Sequence, residues 1–267
     1  MPSSPRIKLT VDDGIAHVTL NRPDKRNAID WEMLEALVDL PGEISANRDV
    51  RVVILSGAGE SFSSGFEFEN IFASMPKVAK LGLKTPLNTT NFAQRACWAW
   101  REMPVPVIAV IRGHAFGAGL QLALAADFRF ATPESQLSVM EGKFGLIPDM
   151  TGSVSLRELI PADLMKRLLM TAEVFDGEQA QRWGLVSAVS ADPAADAAEL
   201  AHKLIARSPD ALAATKKLVQ DTWTASPRSA FWSEFVLQAR LLAGKNHRIA
   251  RAAARRKGVP DWSPRSF

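Results

Sequence analysis

The sequence predicts an α/β fold in which a mainly parallel sheet is followed by a helical C-terminal region. In roughly the first 150 residues, short apolar runs alternate with helical segments, as in parallel strands joined by crossover helices. Beyond that point the chain becomes rich in alanine and leucine with charged faces, a pattern that predicts consecutive helices. We therefore expect an α/β core over residues 1–190 and a helical region over residues 191–267.

The strands are predicted from apolar runs bounded by turn residues. Residues 6–11 and 15–20 flank Asp12-Asp13-Gly14, a strong signal for a β-hairpin. Further buried strands are expected at 52–55, 105–111 and 128–131. The last of these follows closely on the stretch GHAFGAGLQLALAAD (113–127), in which we expect the 105–111 strand to stop at glycines and a helix to begin.

The helices are predicted from periodicity and from capping residues. Asp30 is a plausible N-cap for a helix that begins near Trp31, and Pro41-Gly42 is expected to break or kink that helix. Later helices are expected at 151–160, 162–171, 177–183, 194–207, 209–221 and 227–243. Residues 69–95 have weak periodicity and several helix breakers, which we interpret as a mobile flap over a pocket.

Composition is that of a soluble globular protein. Of the 267 residues, 47% are hydrophobic and 23% are charged, and a net charge of +3 is too small to indicate a nucleic-acid partner. Cys97 is the only cysteine, so no intrachain disulfide can form, and the four scattered histidines show no metal-ligand spacing. The sequence has neither the apolar segment of a signal peptide nor a membrane-spanning run. We expect a cytoplasmic protein with no bound metal and no membrane partner.

Three short stretches share one pattern, in which a strand end is followed by small residues and then a helix. They are residues 61–68, 113–119 and 141–149. Backbone N–H groups in the first turn of a helix have no partner in that helix, so two of them aimed at one point could polarise a carbonyl group. A dinucleotide site at 113–119 is excluded because GHAFGAG lacks the G-x-G-x-x-G spacing.

Together with NRPDKRNA (21–28) and DGEQAQRWGLVSAVS (176–190), these stretches resemble the crotonase superfamily, the enoyl-CoA hydratase/isomerase family. Each motif is weak alone, but five in the family's order and spacing are specific. The resemblance implies a spiral of ββα units, a helical C-terminal region that serves trimerisation and covers the active site, and assembly as trimers or hexamers. It also implies an acyl-CoA thioester substrate, with coenzyme A as part of the substrate and no separate cofactor.

Carried over by position, the resemblance places the two oxyanion-hole donors at the backbone N–H groups of Phe66 and Ala118. The family usually has a glycine where this chain has Ala118, a change that keeps the N–H. Coenzyme A contacts are expected at Lys25, Arg26, Ala28, Ser64 and Arg256. Arg256 belongs to a basic cluster at 245–257, for which a solvated helix face is the plainer interpretation.

The acid/base residues depart from the hydratase pattern. Hydratases of the family use two glutamates twenty positions apart, and here those positions hold Gln121 and Glu141. An amide cannot act as a general base, whereas one carboxylate is enough to move a double bond. Asp149 matches an acidic position of dienoyl-CoA isomerases, but it could instead cap a helix. We therefore predict catalytic roles for Glu141, Asp149 and Gln121, with isomerisation favoured; a 2-enoyl-CoA hydratase or a catalytically silent acyl-CoA-binding protein are the alternatives.

Overall fold

The computed structural model describes residues 4–84 and 88–267. The strands are β1 (Ile7–Asp12), β2 (Ile15–Leu20), β3 (Val52–Gly57), β4 (Val107–Ile111), β5 (His114–Phe116), β6 (Phe128–Ala131), β7 (Gln136–Ser138), β8 (Phe175–Asp176) and β9 (Ala188–Val189). The helices are α1 (Trp31–Ala46), α2 (Phe68–Ile71), α3 (Met75–Gly82), α4 (Phe92–Glu102), α5 (Ala118–Leu124), α6 (Gly152–Arg157), α7 (Ala162–Thr171), α8 (Gly177–Trp183), α9 (Pro193–Ile205), α10 (Pro209–Thr222), α11 (Pro227–Ala243) and α12 (Lys245–Arg256).

A six-stranded sheet in the order β1-β2-β3-β4-β6-β9 forms the centre of the molecule. Only β1 and β2 pair antiparallel, and the other neighbours are parallel. The β1–β2 turn is the predicted hairpin, and its two central residues, Asp13 and Gly14, have positive φ angles of 45° and 76°. The predicted α/β class with a mainly parallel sheet is confirmed.

A second, smaller sheet was not expected. It has the order β5-β7-β8, and β5 lies between the end of β4 and the start of α5. Strand β4 ends just before Gly113 and α5 begins just after Gly117, as expected, but the chain does not pass directly from one to the other because β5 lies between them. A three-residue strand is too short to leave a periodic signal, and its stability comes from pairing with β7, which is distant in sequence.

Helix α1 is not broken at Pro41, contrary to one of the two outcomes expected. Asp30 caps the helix as predicted, because its side chain accepts a hydrogen bond from the N–H of Met33. Pro41 has no N–H to donate to the Leu37 carbonyl one turn earlier. The fully buried indole of Trp100 donates to that carbonyl instead, at 3.1 Å, so the helix continues without an unpaired acceptor.

The C-terminal region is helical, as predicted. Helices α7, α8 and α11 have the expected bounds, and proline occupies the first position of α9, α10 and α11, where it is tolerated. Helix α12 is not among the helices predicted from periodicity, but it carries the basic cluster at 245–257 that we interpret as a solvated helix face. All six basic residues of the 245–257 cluster are exposed along or just beyond α12, which supports the plainer interpretation of a solvated face.

The stretch 69–95, interpreted as a flap, contains α3 together with parts of α2 and α4. Its residues 85–87 lie outside the described residues. Helix α4 begins with a capping box in which Asn91 and Gln94 exchange hydrogen bonds, so this end of the stretch has a well-defined boundary.

The sheet is covered on both faces. One face carries the larger hydrophobic core, while Ala197, Ala201 and Ile205 of α9 pack against the other. Next along the chain, Lys216 of α10 is buried, and its Nζ lies 2.7 Å from Oδ2 of Asp127, just before β6. Within residues 4–84 and 88–267, no helix is both long and apolar enough to cross a bilayer.

Candidate active site

A cavity of about 470 Å³ lies where β5 ends at Phe116 and α5 begins at Ala118. All three stretches singled out in the sequence (61–68, 113–119 and 141–149) line it, together with Phe72 and Met140. The lining residues are Ser64, Gly65, Phe66, Phe68, Phe72, Phe116, Gly117, Ala118, Met140, Glu141, Lys143, Phe144, Leu146, Ile147 and Asp149. Apolar side chains form most of this wall, and its volume lies in the range typical of small-molecule sites. The fold therefore brings the three predicted stretches together around one pocket.

Two backbone N–H groups, those of Phe66 and Ala118, lie in this wall. Ala118 is the first residue of α5, so its N–H has no partner inside the helix. In the described part of the chain, neither N–H donates to another protein group. Gly65 and Gly117 precede them with positive φ angles of 89° and 48°, and a Cβ at Gly65 would lie 2.7 Å from the Phe116 carbonyl. Gly65 thus permits a close approach to the backbone of Phe116, and Gly117 leaves room for the side chain of Glu141 beside the two donors.

Glu141 provides a carboxyl group beside these donors. Its Oε1 lies 3.3 Å from where a Cβ of Gly117 would stand, and it accepts a hydrogen bond of 2.7 Å from Nε2 of Gln121. Its Oε2 is buried and makes no hydrogen bond within the described residues. Burial raises the pKa of Glu141 above its ordinary value; the Gln121 bond opposes this effect, and the nearby charge of Asp149 adds to it. A carboxyl group with a raised pKa is suited to both accepting and returning a proton.

Gln121 lies behind Glu141 and is not among the residues that line the cavity. It is almost fully buried, and its Oε1 accepts hydrogen bonds of 2.9 Å from the N–H groups of both Met150 and Gly152. Since that oxygen is satisfied by two donors, the amide NH₂ must face the Glu141 carboxyl. The structure therefore places Gln121 behind Glu141, where it holds the carboxyl by one hydrogen bond and does not face the cavity.

Asp149 lines the same cavity as Glu141 and keeps contact with solvent there. The alternative that it caps a helix is wrong, because α6 begins at Gly152 after Thr151, which has a φ of +77° and no capping hydrogen bond. The protein atoms around Asp149 partly desolvate its carboxyl and raise its pKa. The cavity therefore presents two carboxyl groups, of which Glu141 is the more enclosed.

Four of the five residues expected to contact coenzyme A come together beside the cavity. The N–H of Ser64 donates to the Arg26 carbonyl at 2.9 Å, and its hydroxyl donates to the Lys25 carbonyl at 3.4 Å; Ala28 follows in the same loop. Arg256 is separate from them. It is exposed near the end of α12, a helix that packs against α11, and is not among the cavity-lining residues described.

Sequence reasoning missed the aromatic part of the cavity wall. Phe68, Phe72 and Phe144 lie close together there, and Leu146 and Ile147 extend the apolar surface. A signal was present, because Phe68 and Phe72 are four residues apart and such a spacing places two side chains on one face of a helix. Helix α2, which begins at Phe68 and is followed directly by Phe72, is only one turn long, so no longer periodic pattern could be recognised.

Two backbone N–H groups without a protein acceptor in the described part of the chain, beside an enclosed carboxyl on this fold, are the arrangement that the resemblance to the crotonase superfamily predicts. The family model described as enoyl-CoA hydratase/isomerase matches residues 10–263. The chain belongs to this family, part of the crotonase superfamily, and the predicted crotonase-like fold is confirmed.

Individual relatives agree with this assignment. The carnitinyl-CoA dehydratase of Citrobacter koseri is 34% identical over 215 residues, covering 78% of this chain and 77% of the relative. The crystal structure of an enoyl-CoA hydratase from Polaromonas sp. JS666 is 29% identical, with a TM-score of 0.86 over 96% of this chain and 99% of that one. An enoyl-CoA hydratase from Bacillus anthracis is 25% identical, with a TM-score of 0.88 over 96% and 98% of the two chains.

Proposed function

We propose that the chain converts an enoyl-CoA thioester through an enolate, whose oxygen is bound by the N–H groups of Phe66 and Ala118. Two preorganised donors stabilise negative charge as it develops on a thioester oxygen, an interaction that is stronger in the transition state than in the bound substrate. The absence of a competing protein acceptor for either N–H within the described residues supports this role.

The reaction that we favour is movement of a double bond, with Glu141 as the single acid/base. The carboxylate removes a proton from C2 of a 3-enoyl thioester, and the electron pair passes to the carbonyl oxygen as the enolate forms. The same carboxyl then returns the proton to C4 as the double bond forms between C2 and C3. The observation that carries this proposal is that Glu141 is paired with the neutral amide of Gln121, so no second carboxylate occupies the hydratase position.

Addition or loss of water is the second candidate. The relatives named carnitinyl-CoA dehydratase and enoyl-CoA hydratase favour it. So does Asp149, whose carboxyl lines the same cavity as Glu141 and could share the handling of a water molecule. In this alternative Gln121 positions Glu141, and the second carboxyl comes from the 146–151 segment rather than from α5.

A comparison of substrates decides between these reactions. The wild-type protein is expected to convert a 3-enoyl-CoA to its 2-enoyl isomer faster than it hydrates crotonyl-CoA. Rapid hydration together with no action on 3-enoyl and dienoyl esters would reject isomerisation in favour of the second candidate. Binding of CoA thioesters without turnover of any of them would instead indicate a silent binding protein.

Glu141→Gln tests the acid/base role directly. The variant is expected to lose nearly all turnover while it still binds butanoyl-CoA, because the amide keeps the size of the side chain but cannot accept a proton. Asp149→Asn is the companion variant, and it separates the two carboxyl groups of the cavity. Retained turnover in Glu141→Gln would remove this residue from the mechanism.

We also propose that coenzyme A phosphates contact Lys25 and Arg26, with Arg256 reaching them in the assembled protein. Affinity for CoA thioesters is then expected to weaken with added salt and in Lys25→Ala or Arg256→Ala, while turnover at saturation is largely retained. Binding that does not depend on salt and that neither substitution weakens would show that these residues do not contact the phosphates of coenzyme A.

Assembly as a trimer or hexamer is part of the same proposal. Helix α11 exposes Phe231, Trp232 and Phe235 to solvent, each by more than 60% of its surface. Exposed aromatic groups of this size on one helix are typical of a protein interface. Sedimentation of the wild type and of Trp232→Glu tests this assignment, with a smaller species expected for the variant.

A further inference from the structure

The cavity wall beyond Glu141 is a cluster of three phenylalanines. The rings of Phe68 and Phe72 stack with centroids 5.6 Å apart and an interplanar angle of 15°. The ring of Phe144 lies 4.9 Å from that of Phe68, tilted by 45°. The three side chains are 37%, 45% and 54% exposed, so a substantial part of each ring faces solvent.

The arrangement of these rings indicates what they can bind. A pocket for a quaternary ammonium group surrounds one centre with ring faces. Here the rings of Phe68 and Phe72 are nearly parallel and stacked, so the pair presents a flat surface and does not surround a central point. Lys143 lines the cavity together with Glu141 and Asp149, so these charges neither select nor exclude a cation, and the shape of the aromatic surface is the distinguishing feature. The surface is better matched to a flat apolar group that packs against ring edges and faces.

We propose that the acyl group of the substrate is neutral and apolar and carries an aromatic ring, which packs on Phe68, Phe72 and Phe144. This inference rests on the proposed function, because it places the thioester carbonyl at the N–H groups of Phe66 and Ala118. The cluster and the donors belong to one continuous cavity, and Ile147, which is 77% exposed, extends the same apolar wall. A ligand held at the donors therefore has this surface within reach of its acyl chain.

Saturated CoA thioesters test the acyl preference without requiring turnover. Titration calorimetry on the full chain compares 3-phenylpropanoyl-CoA with butanoyl-CoA, with nonanoyl-CoA, which has the same number of acyl carbons, and with 4-trimethylammoniobutanoyl-CoA. Burial of one ring is expected to make the phenyl ester bind at least about tenfold more tightly than the butanoyl ester. It is also expected to bind more tightly than the other two.

Substitutions locate the ring. Phe72→Ala and Phe144→Ala are expected to reduce the preference for the phenyl ester over the butanoyl ester roughly tenfold. Val11→Ala is the control, because it truncates an exposed apolar side chain on β1, away from the cavity, and is expected to leave the preference unchanged.

Several results would overturn the inference. Tightest binding of the trimethylammonio ester would assign the rings to a cation, and tightest binding of the nonanoyl ester would assign them to a linear chain. Equal affinities, or a preference that survives both phenylalanine substitutions, would place the acyl group elsewhere. If instead the proposed reaction is wrong, the preference for the phenyl ester is still observed, but no enoyl-CoA ester is isomerised or hydrated.

Discussion

Replacement of Gln121 by glutamate would convert the neutral partner of Glu141 into a second acid. The oxygen that accepts from the N–H groups of Met150 and Gly152 is kept, so the new carboxyl is held in the same orientation. Its other oxygen takes the place of Nε2, which lies 2.7 Å from Oε1 of Glu141. Two carboxyl oxygens remain at that distance only if they share a proton, and the two groups then titrate as a coupled pair.

The size of the expected change in the pKa values of the two carboxyl groups follows from this contact. With oxygens 2.7 Å apart, the centres of charge of the two carboxylates are about 4 Å apart, and their repulsion is about 4 kcal/mol at an effective dielectric constant near 20. That energy raises the proton affinity of the pair about a thousandfold. Isomerisation near neutral pH is therefore expected to fall and to recover at higher pH. Hydration of a 2-enoyl-CoA is expected to rise above the wild-type level, because the pair supplies both a base and an acid.

The assay is kcat/KM for both reactions, measured across the pH range in which the pair titrates. Gln179→Glu is the matched control, because Gln179 closes the capping box of α8 on the surface and glutamate serves equally well there. A pH profile for Gln121→Glu that superimposes on the wild-type profile, with an unchanged ratio of the two activities, would refute the proposed contact between residues 121 and 141.

Three further outcomes are expected. Ala118→Pro removes one N–H donor at a helix position that tolerates proline, so turnover is expected to fall by roughly 10²–10³-fold with little change in melting temperature; an active, folded variant would contradict the carbonyl site. Trp100→Phe is expected to cost more than about 2 kcal/mol in urea unfolding, because it leaves a void where the fully buried indole packs and removes the donor to Leu37. Pro41→Ala, which restores a backbone N–H, is expected to recover only the hydrogen-bond part of that loss. Burial raises the pKa of Glu141 in the folded protein above its ordinary value of 4.5. The protonated carboxyl therefore stabilises the fold fully at pH values below 4.5, and this stabilisation is lost as the pH rises through the folded-state pKa. The unfolding midpoint of Glu141→Gln is thus expected to rise relative to that of the wild type as the pH increases from 4.5 through the folded-state pKa. A difference between the two midpoints that does not change with pH would contradict the raised pKa of Glu141.

The sequence predicted those parts of the fold whose signals are local. The hairpin at Asp13-Gly14, the cap at Asp30 and the bounds of α11 each depend on residues adjacent in the chain. Features that depend on distant partners could not be predicted in this way. Continuity of α1 through Pro41 requires the indole of Trp100, and β5 requires β7.

The candidate site likewise has parts that the sequence predicts and parts that depend on distant residues. The spacing of the motifs places Phe66, Ala118 and Glu141 in one cavity, as the resemblance to the family implied. The hydrogen bonds that orient Gln121 involve backbone N–H groups about thirty residues away, which no local pattern reveals. The cluster of three phenylalanines is likewise complete only when the tertiary fold brings Phe144 against Phe68.

The way in which α9 and α10 attach to the sheet limits how the chain can be divided. Deletion of everything after residue 190 would uncover the apolar face against which Ala197, Ala201 and Ile205 pack. It would also leave the carboxylate of Asp127 without the ammonium group of Lys216. A shortened product of this kind is expected to aggregate rather than fold, since it presents bare strand faces to its neighbours in solution. The expected boundary between core and helical region at residue 190 is therefore no place at which to cut the chain, and fusion partners are better joined elsewhere.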